Sequence, residues 1–342
     1  MNKSLYFIKH GSIHHAKHSG YTRLLEYMPG ETIEGVYSKI PYRLRKIIAS
    51  SISNTKGIYD SSSVQKDLAL INQMLKNKDG IAHFLNGERD VRFSTYLKPL
   101  RSWNFTGSFH EPPDTILKEV HNFKFINKLD GAIAVGINQL ELLKDKIGGD
   151  AISYIPHGVD TTYFSPVSEE WEKHTCVFVG QHLRDFDILE KVIFALKRKL
   201  PQFKLKIVIR EDFVNLLPKS ENIEIYNNVS DEKLKELYRS ASFLLLPLKE
   251  VTACNAILEA LACGIPVITS DLEGNRGYLD ENCSFMIKNN DIKKMVECAI
   301  LLFEDDLLNR QMRINARNQS MKFSWEQIAK EMIIYYKTYF GY

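Results

Sequence analysis

The sequence predicts an α/β protein built from two doubly wound parallel-sheet domains. Its 342 residues are enough for two domains of ordinary size. Short apolar runs of strand length alternate with amphipathic helical patterns through both halves of the chain. A stretch rich in turn-forming residues, 154–166, follows the first half. We therefore predict one domain at residues 1–150 and a second at 151–323.

The composition is typical of a globular protein in water, with 44% hydrophobic and 25% charged residues. No stretch approaches the roughly 18 apolar residues of a membrane span. The apolar run near the N-terminus is too short for a signal peptide. The five cysteines form no C-x-x-C pair, so we expect reduced thiols in a cytoplasmic protein.

The charge is distributed unevenly along the chain. Residues 1–150 carry 21 Lys and Arg against 15 Asp and Glu, whereas the whole chain has 45 against 42. A basic N-terminal half favours an anionic partner such as lipid headgroups or a pyrophosphate-linked acceptor. No RNA- or DNA-binding motif accompanies the charge, so we expect no nucleic-acid partner.

A histidine-rich segment follows the first predicted strand, residues 4–9. His10, His14 and His18 are four apart and would line one face of a helix, which suggests a metal site. The glycines in the segment indicate a loop instead, and no Cys or carboxylate completes the site. Open α/β sheets receive ligands at loops after their strands, so His18, Ser19 and Gly20 are candidates to line a cleft. A helix is predicted next, over 21–28.

Residues 41–53 form an amphipathic pattern with two readings. Leu44, Ile47 and Ile48 share one face, and basic side chains surround them. Such a helix suits a membrane surface, but an ordinary domain helix more often has this pattern, and we favour that interpretation.

Two further strands end in polar residues. The strand at 80–85 is followed by Gly87 and Glu88, which we interpret as acceptor contacts. The strand at 104–109 ends at His110, and Pro113 begins a helix predicted to reach residue 129. A histidine at a strand end can exchange a proton with a substrate hydroxyl. Alternatively, His110 caps the local backbone.

The stretch 242–279 carries the strongest signal. A strand at 243–246 leads through a polar loop into a helix at 253–263, and Gly264 follows as a helix stop. Amide groups at a helix start bind phosphates, so Thr252 to Asn255 predict a phosphate site. Glu259 shares a helical face with Asn255 and could accept hydrogen bonds from a ribose diol. A solvated glutamate or a structural ion pair is the alternative.

This stretch, with its ILEALACGIPVITSD, resembles the donor-site signature of the family 4 (group 1) glycosyltransferases, which have the GT-B fold. The segments YIPHGVDTTYFSP and FSW resemble other parts of that family. The resemblance implies two Rossmann-like domains facing a cleft, with a last helix at 324–342 that packs back on the first domain. It also implies that Glu259 contacts the nucleotide ribose and that His110 lies next to the donor sugar.

The sequence departs from the family pattern at three positions. The family's first glutamate falls on Val251, and its phosphate-binding arginine and lysine fall on Gln181 and Phe186. Arg184 and Lys249 are the substitute cations that we propose. Ala253 and Cys254 stand where the family has a Phe-Gly pair. The loop at 271–277 is expected to close over the nucleotide. The remaining donor-binding candidates are Ala253, Cys254 and Gly274.

Asp185-Phe186-Asp187 matches a D-x-D motif. In the other large glycosyltransferase fold this motif holds a metal ion on the donor diphosphate. Here it directly precedes a helical pattern, which favours Asp185 as a helix N-cap.

The function implied is transfer of a sugar from a nucleotide-sugar donor, linked to UDP or GDP, to a glycan or lipid-linked acceptor. The family resemblance implies retention of anomeric configuration, and we expect neither a metal nor a cofactor. His110 and Arg184 are the catalytic candidates. We expect a role in surface polysaccharide synthesis, in the cytoplasm or on the inner face of the membrane. A sugar-nucleotide epimerase and a non-catalytic nucleotide-sugar-binding relative remain open alternatives.

Overall fold

The computed structural model describes residues 3–9, 17–34, 40–52, 60–120, 123–167 and 171–342. The chain divides into two compact units. The first contains Tyr21–His157, Glu326–Tyr342 and residues 3–9; the second contains Gly158–Trp325 and residues 17–20. The chain therefore leaves the first unit after His157, whereas we placed the boundary at residue 150, because one more strand completes the first sheet.

The described part of the first unit contains a parallel sheet of six strands in the order β2-β1-β3-β4-β5-β6. The strands at Leu5–Ile8 and Gly131–Ala134 are buried along their length, as parallel strands covered on both faces must be. The strands are β1 (Leu5–Ile8), β2 (Glu31–Ile33), β3 (Asp79–Phe84), β4 (Ser102–Phe109), β5 (Gly131–Ala134) and β6 (Ile152–Tyr154).

Helices connect these strands, as right-handed parallel crossovers require. They are α1 (Tyr42–Ile52), α2 (Ser61–Lys76), α3 (Gly87–Asp90), α4 (Pro113–Glu119) and α5 (Leu140–Ile147). Short 3₁₀ turns lie at Tyr21–Glu26, Phe93–Tyr96, Lys98–Leu100, Ile126–Lys128 and Ile137–Gln139.

Two helix predictions in this unit are wrong. The segment predicted as a helix at 21–28 is a 3₁₀ turn that ends at Glu26, just before Pro29 and Gly30. The helix that begins at Pro113 stops at Glu119 rather than at residue 129. Val120 is buried and takes a non-helical conformation, which ends the helix.

The described part of the second unit holds another parallel sheet of six strands, in the order β12-β11-β10-β7-β8-β9. The strands are β7 (Thr175–Val179), β8 (Lys204–Val208), β9 (Ile223–Tyr226), β10 (Leu244–Leu246), β11 (Val267–Ser270) and β12 (Ser284–Ile287). The helices of this unit are α6 (Phe186–Lys199), α7 (Asp231–Ser240), α8 (Asn255–Ala262), α9 (Glu273–Arg276), α10 (Ile292–Glu304) and α11 (Asp306–Met321), with 3₁₀ turns at Glu211–Leu216 and Lys288–Asn290. A last helix, α12 (Trp325–Phe340), follows α11.

In each sheet the strand order reverses beside the strand that enters first. β1 lies between β2 and β3, and β7 lies between β10 and β8. Ligands of doubly wound sheets bind at the carboxyl ends of the strands near such a reversal. Both sheets thus have the predicted Rossmann-like topology, and each offers one edge for a site.

The last helix, α12, belongs to the first unit from Glu326 onward. The Tyr335 hydroxyl donates to the Ala151 carbonyl at 3.0 Å, beside β6. Among the described residues, no helix combines the length and the apolar character needed to cross a membrane.

Candidate functional site

The start of α8 in the second unit has unused hydrogen-bonding capacity. Cys254 is the N-cap, and no described side chain caps this helix end. The hydroxyl of Thr252 is buried and has no hydrogen-bond partner among the described residues. Helix-start amides and an unpartnered hydroxyl form a setting that an anion can satisfy.

Arg184 lies beside this helix start. Its guanidinium donates to the Val179 carbonyl at 3.0 and 3.1 Å, and one nitrogen lies 3.4 Å from the Cys254 sulfur. These partners are neutral, and Arg184 forms no ion pair with a carboxylate in the described residues. Its positive charge therefore remains available at the predicted phosphate site.

Gly180 makes room for this arrangement. Its φ is +87°, and a Cβ at this position would lie 2.9 Å from the Arg184 guanidinium. Only glycine combines this backbone conformation with that space. The sequence pattern places Gly180 at the end of β7, but it does not reveal this contact.

The other residues predicted to bind the donor nucleotide lie near this helix start, and they differ in how exposed they are. Gly274 packs against Val251 and Thr252, because a Cβ there would meet the Val251 carbonyl oxygen. Val251 itself is buried, whereas the side chain of Lys249 is exposed. Ala253 and Asn255 are half-buried at the helix start. The segment predicted as a loop at 271–277 contains the short helix α9 instead.

Glu259 is a buried carboxyl one turn into α8. Its two oxygens accept hydrogen bonds from the Ser19 hydroxyl at 2.5 Å and from the Tyr238 hydroxyl at 2.9 Å. Burial raises the pKa of Glu259 to about 7, although both hydroxyls favour the charged form. A carboxylate can accept about four hydrogen bonds, so two positions are left for a ligand diol.

The loop at residues 17–20 is part of this unit. The His18 ring stacks on Tyr163 with 3.5 Å between centroids, and its Nδ1 lies 2.9 Å from an Asp160 oxygen. The His18 amide donates to Asp231. Of the predicted cleft residues, His18 and Ser19 are thus fixed here, with Gly20 next to them. His10 and His14 lie outside the described residues.

Asp185 caps α6, since its carboxylate accepts from the Ile188 amide at 3.2 Å. The Asn290 side chain donates to its second oxygen. This is the structural interpretation that the sequence favoured for the D-x-D match. Within the described residues, no group of three His, Cys, Asp or Glu side chains is arranged to hold a metal.

The first unit places a second group of predicted residues at the ends of β3 and β4. His110 Nε2 lies 2.7 Å from the Leu85 carbonyl oxygen. A carbonyl only accepts, so this nitrogen carries a proton. The Tyr21 ring meets His110 edge-on, with 4.6 Å between centroids.

Glu88 lies next to His110. One of its oxygens accepts the His110 amide at 3.0 Å, and the other is buried with no partner in the described chain. Burial raises the pKa of Glu88 to about 8. Gly87 precedes it at the start of α3 and packs against the Phe109 ring. The structure therefore brings Gly87, Glu88 and His110 together.

A buried chain of hydrogen bonds supports this group, and sequence reasoning missed it. The Tyr21 hydroxyl lies 2.8 Å from Ser108 Oγ, which lies 2.8 Å from His83 Nε2. His83 Nδ1 contacts the Tyr336 hydroxyl on α12. Burial lowers the pKa of His83 to about 3, so its ring stays neutral. These residues come from four distant segments, and no local pattern connects them.

Tyr238 and Asp160 were also missed, as the partners of Glu259 and His18. Asp160 lies within the turn-rich segment after the first half, where a polar residue is unremarkable. Tyr238 lies on the buried face of α7, so the spacing of apolar residues along this helix predicts only that Tyr238 packs in the core. The predicted residues thus form a group in each unit.

Comparison with known proteins gives a family match for the second unit. Residues 171–319 match the sequence model of the family described as glycosyl transferases group 1. A glycosyltransferase of Haemophilus influenzae, described as uncharacterized, is 28% identical over 181 residues, which are 47% of this chain and 48% of that protein. The alpha-galactosylglucosyldiacylglycerol synthase of Streptococcus pneumoniae is 23% identical over 80% of this chain and 81% of its own.

Solved structures show the same fold. The sucrose-phosphate synthase of Thermosynechococcus elongatus matches with a TM-score of 0.70 at 16% identity and 98% coverage of both chains. Anabaena HepE, solved in complex with UDP and glucose, matches with a TM-score of 0.66 at 12% identity, over 97% of this chain and 98% of its own. The protein has the GT-B fold, so the predicted fold class is confirmed. The chain spans about half the length of the first curated relative.

Proposed function

We propose that this protein is a glycosyltransferase that moves a sugar from a nucleotide-sugar donor to a hydroxyl group of a glycan or lipid-linked acceptor. The observation that carries the proposal is the helix start of α8. It combines an uncapped first turn, the buried hydroxyl of Thr252 and the guanidinium of Arg184 at one sheet edge. This edge lies within the region that matches the glycosyl transferases group 1 model.

The donor nucleotide would bind along α8. Glu259 would accept the ribose hydroxyls, and the amides near Asn255 would bind the diphosphate. Lys249, exposed on the loop, adds a second cation to Arg184. Gly274, Ala253 and Cys254 would shape the wall of the pocket. UDP or GDP is the proposed carrier, and several GT-B relatives are described in complex with UDP.

In the reaction, the bond between the sugar C1 and the diphosphate oxygen breaks while the acceptor oxygen bonds to C1. Arg184 and the α8 amides would stabilise the charge that develops on the leaving diphosphate. We propose that this stabilisation replaces a metal ion and that the anomeric configuration is retained. His110 would hydrogen-bond a hydroxyl of the substrate.

In this proposal the first unit provides the acceptor contacts, and His18, Ser19 and Gly20 are candidates to line the cleft on the second unit. Gly87 and Glu88 would contact the acceptor beside His110. The match to a diacylglycerol-glycolipid synthase supports a lipid-linked acceptor. We place the protein in the cytoplasm and on the inner face of the membrane, acting in surface polysaccharide or glycolipid synthesis.

Helix α1 supports the membrane contact. It carries three basic residues and no acidic one. The side chains of Leu44 and Ile47 are 48% and 62% exposed, next to exposed Arg43 and Lys46. Interfacial helices combine apolar and basic side chains in this way, and anionic lipids attract them.

A nucleotide panel tests the donor assignment. Thermal unfolding is followed with UDP, GDP, ADP, CMP and TDP, each with and without EDTA. A ligand at about 100 times its dissociation constant adds roughly 2.7 kcal/mol, which shifts the midpoint clearly. We expect one of these nucleotides to stabilise the protein in EDTA, and Arg184→Gln to weaken that effect. No shift with any nucleotide, or a shift abolished by EDTA, contradicts the assignment.

Product analysis tests the reaction. The nucleotide sugar that binds is incubated alone and with glycan or lipid-linked acceptors, and the products are followed by NMR. We expect a new glycosidic bond of unchanged anomeric configuration, formed only with acceptor. A changed sugar nucleotide without acceptor indicates an epimerase. Binding without any turnover indicates a non-catalytic relative.

A vesicle assay tests the membrane contact separately. We expect co-sedimentation with vesicles containing phosphatidylglycerol but not with pure phosphatidylcholine. Leu44→Ser with Ile47→Ser removes the apolar face of α1 and should abolish this binding. Leu307→Ser is the control, because Leu307 is 81% exposed on the second unit. Equal binding by all three proteins contradicts the role of α1.

A further inference from the structure

The first unit contains a cavity at the edge of its sheet opposite to the edge that carries His110. The volume of this cavity is about 510 Å³, which falls in the usual size range of small-molecule pockets. The cavity lies where β4 and β5 begin, whereas His110 follows the end of β4. The eight residues of β4 therefore separate the two places by roughly 25 Å.

Two stretches of chain line the cavity, 95–103 and 127–129, and the structure describes both without a gap. The lining residues are Thr95, Lys98, Pro99, Arg101, Trp103, Asn127, Lys128 and Leu129. None of them belongs to the groups of residues proposed to bind the donor or the acceptor.

Arg101 brings an unused positive charge to the cavity. Its backbone amide donates to the Lys98 carbonyl at 3.1 Å. Its guanidinium has neither a hydrogen bond nor an ion pair with any residue that the structure describes, and the residue is half-buried. A guanidinium can donate two parallel hydrogen bonds to a phosphate, so Arg101 is suited to bind one.

Two lysines add to the positive charge at this wall. Lys98 Nζ lies 2.6 Å from an Asp130 oxygen and donates to the Lys128 carbonyl at 2.7 Å. The Lys128 ammonium lies 4.2 Å from the centre of the Tyr96 ring, which holds the ammonium without cancelling its charge. Within the described chain, Lys128 forms no ion pair. The carboxylate of Asp130 thus offsets only one of the three cations, and the excess charge favours an anion.

The rest of the wall suits a ring that carries hydroxyl groups. Pro99, Leu129 and the edge of Trp103 offer apolar surface, and the exposed amide of Asn127 offers hydrogen bonds. A sugar ring has apolar C–H groups and polar hydroxyls on one body, so it matches both kinds of surface.

From this combination we propose that the cavity is a second ligand site, which binds a sugar phosphate. The phosphate group meets Arg101 and Lys128, and the sugar ring packs between Pro99 and Trp103. This inference does not depend on the proposed glycosyltransferase activity, because the cavity lies at the other end of β4 from His110.

NMR of the tryptophan indoles locates the ligand. The chain has three tryptophans, and of these Trp103 lines the cavity. Its indole N–H donates to the Asn77 carbonyl at 3.2 Å, so the indole is held in place beside the site. The indole signals of protein labelled with ¹⁵N-tryptophan are recorded with and without glucose 6-phosphate, and Trp103→Phe assigns the signal. We expect the Trp103 signal to shift at least three-fold more than the other two.

Calorimetry measures the affinity. We expect glucose 6-phosphate to bind in the millimolar range or more tightly, glucose not to bind, and inorganic phosphate to bind at least five-fold more weakly. Arg101→Gln should weaken the binding of glucose 6-phosphate at least ten-fold. Arg198→Gln is the control, because Arg198 is an exposed arginine on α6, and it should behave as the unaltered protein.

The outcomes separate this site from the proposed donor site. No binding of glucose 6-phosphate, binding that Arg101→Gln leaves unchanged, or a larger shift at Trp171 or Trp325 overturns the proposal. Equal affinity for inorganic phosphate overturns the role of the sugar ring. Arg184→Gln should bind glucose 6-phosphate as the unaltered protein does, and loss of binding in that variant would place the ligand at the donor site instead. Nucleotide binding should be the same in Arg101→Gln as in the unaltered protein.

Discussion

The two sheet edges that carry the candidate residues differ in their chemistry. In the second unit, Arg184, the start of α8 and the Thr252 hydroxyl leave a positive charge and hydrogen-bonding capacity unused. In the first unit, His110 and Tyr21 are held by neutral, buried hydrogen-bonding partners. The first arrangement suits an anionic ligand, and the second suits neutral hydroxyl groups.

The two buried carboxyls show the same contrast. Both have a raised pKa because of burial, to about 8 for Glu88 and about 7 for Glu259. Glu259 accepts two side-chain hydroxyls and feels the positive charge of Arg184, and both effects favour the carboxylate. Glu88 receives only backbone donors and lies near Glu111, whose charge disfavours the carboxylate. At neutral pH, Glu88 therefore keeps its proton more firmly than Glu259 does.

The largest expected effect concerns Glu88 and stability. Its folded pKa of about 8 exceeds the ordinary value of 4.5, so the folded state binds the proton more tightly. The resulting stabilisation is complete below pH 4.5 and is lost as the pH rises through 8. It is of the order of 5 kcal/mol. We expect hydrogen exchange of the β4 amides to become faster from pH 5 to pH 9, after correction for intrinsic rates, and Glu88→Gln to flatten this dependence.

Glu141→Gln is the matched control, because Glu141 is exposed on α5 of the same unit. It should retain the pH dependence of the unaltered protein. If Glu88→Gln has the same pH dependence as this control, the proton is not held by Glu88. The contrast between the two buried carboxyls then fails.

The second effect concerns His110 and turnover. His110→Ala removes the imidazole ring and its hydrogen bond to the Leu85 carbonyl. We expect the barrier to rise by about 2–4 kcal/mol if His110 acts at the reacting centre, while donor affinity changes little. His110→Gln keeps a donor for the Leu85 carbonyl and should also be slow. Turnover by His110→Ala equal to that of the unaltered protein would show that His110 is structural.

The difference between the two edges explains how much the sequence could predict. The strand, loop and helix that contain Glu259 are consecutive, so a local pattern located them and the structure has them with small shifts. The Asp185 cap was also local. The chain of hydrogen bonds from Tyr21 to Tyr336 joins residues that are distant in sequence. In the sequence, these residues look like ordinary core residues. Such contacts follow from tertiary packing and not from spacing.

The third effect concerns the affinity for nucleotide. Glu259→Gln keeps the size of the side chain but removes the charge, and we expect nucleoside diphosphate binding to weaken by about 2 kcal/mol, or about thirty-fold. The carboxylate forms as the pH rises through about 7, so affinity should increase between pH 6 and pH 8. Nucleotide binding by Glu259→Gln should lack this part of the pH dependence. In that variant only the phosphates of the nucleotide still titrate in this range. Calorimetry at both pH values measures the difference, and identical pH profiles contradict the ribose assignment.

The smallest effect is expected for alanine at Gly180. Comparison with alanine at Gly148 separates the cost of backbone strain from the effect of displacing Arg184. Gly180 and Gly148 both have a positive φ, +87° and +74°, but a Cβ meets Arg184 only at Gly180, and nothing lies within 4 Å at Gly148. Alanine should destabilise the protein by roughly 1 kcal/mol at either position through strain. Only Gly180→Ala should also displace the guanidinium and weaken nucleoside diphosphate binding. Equal affinities for the two variants, measured by calorimetry at temperatures where both are folded, would mean that the diphosphate does not depend on where Gly180 holds Arg184.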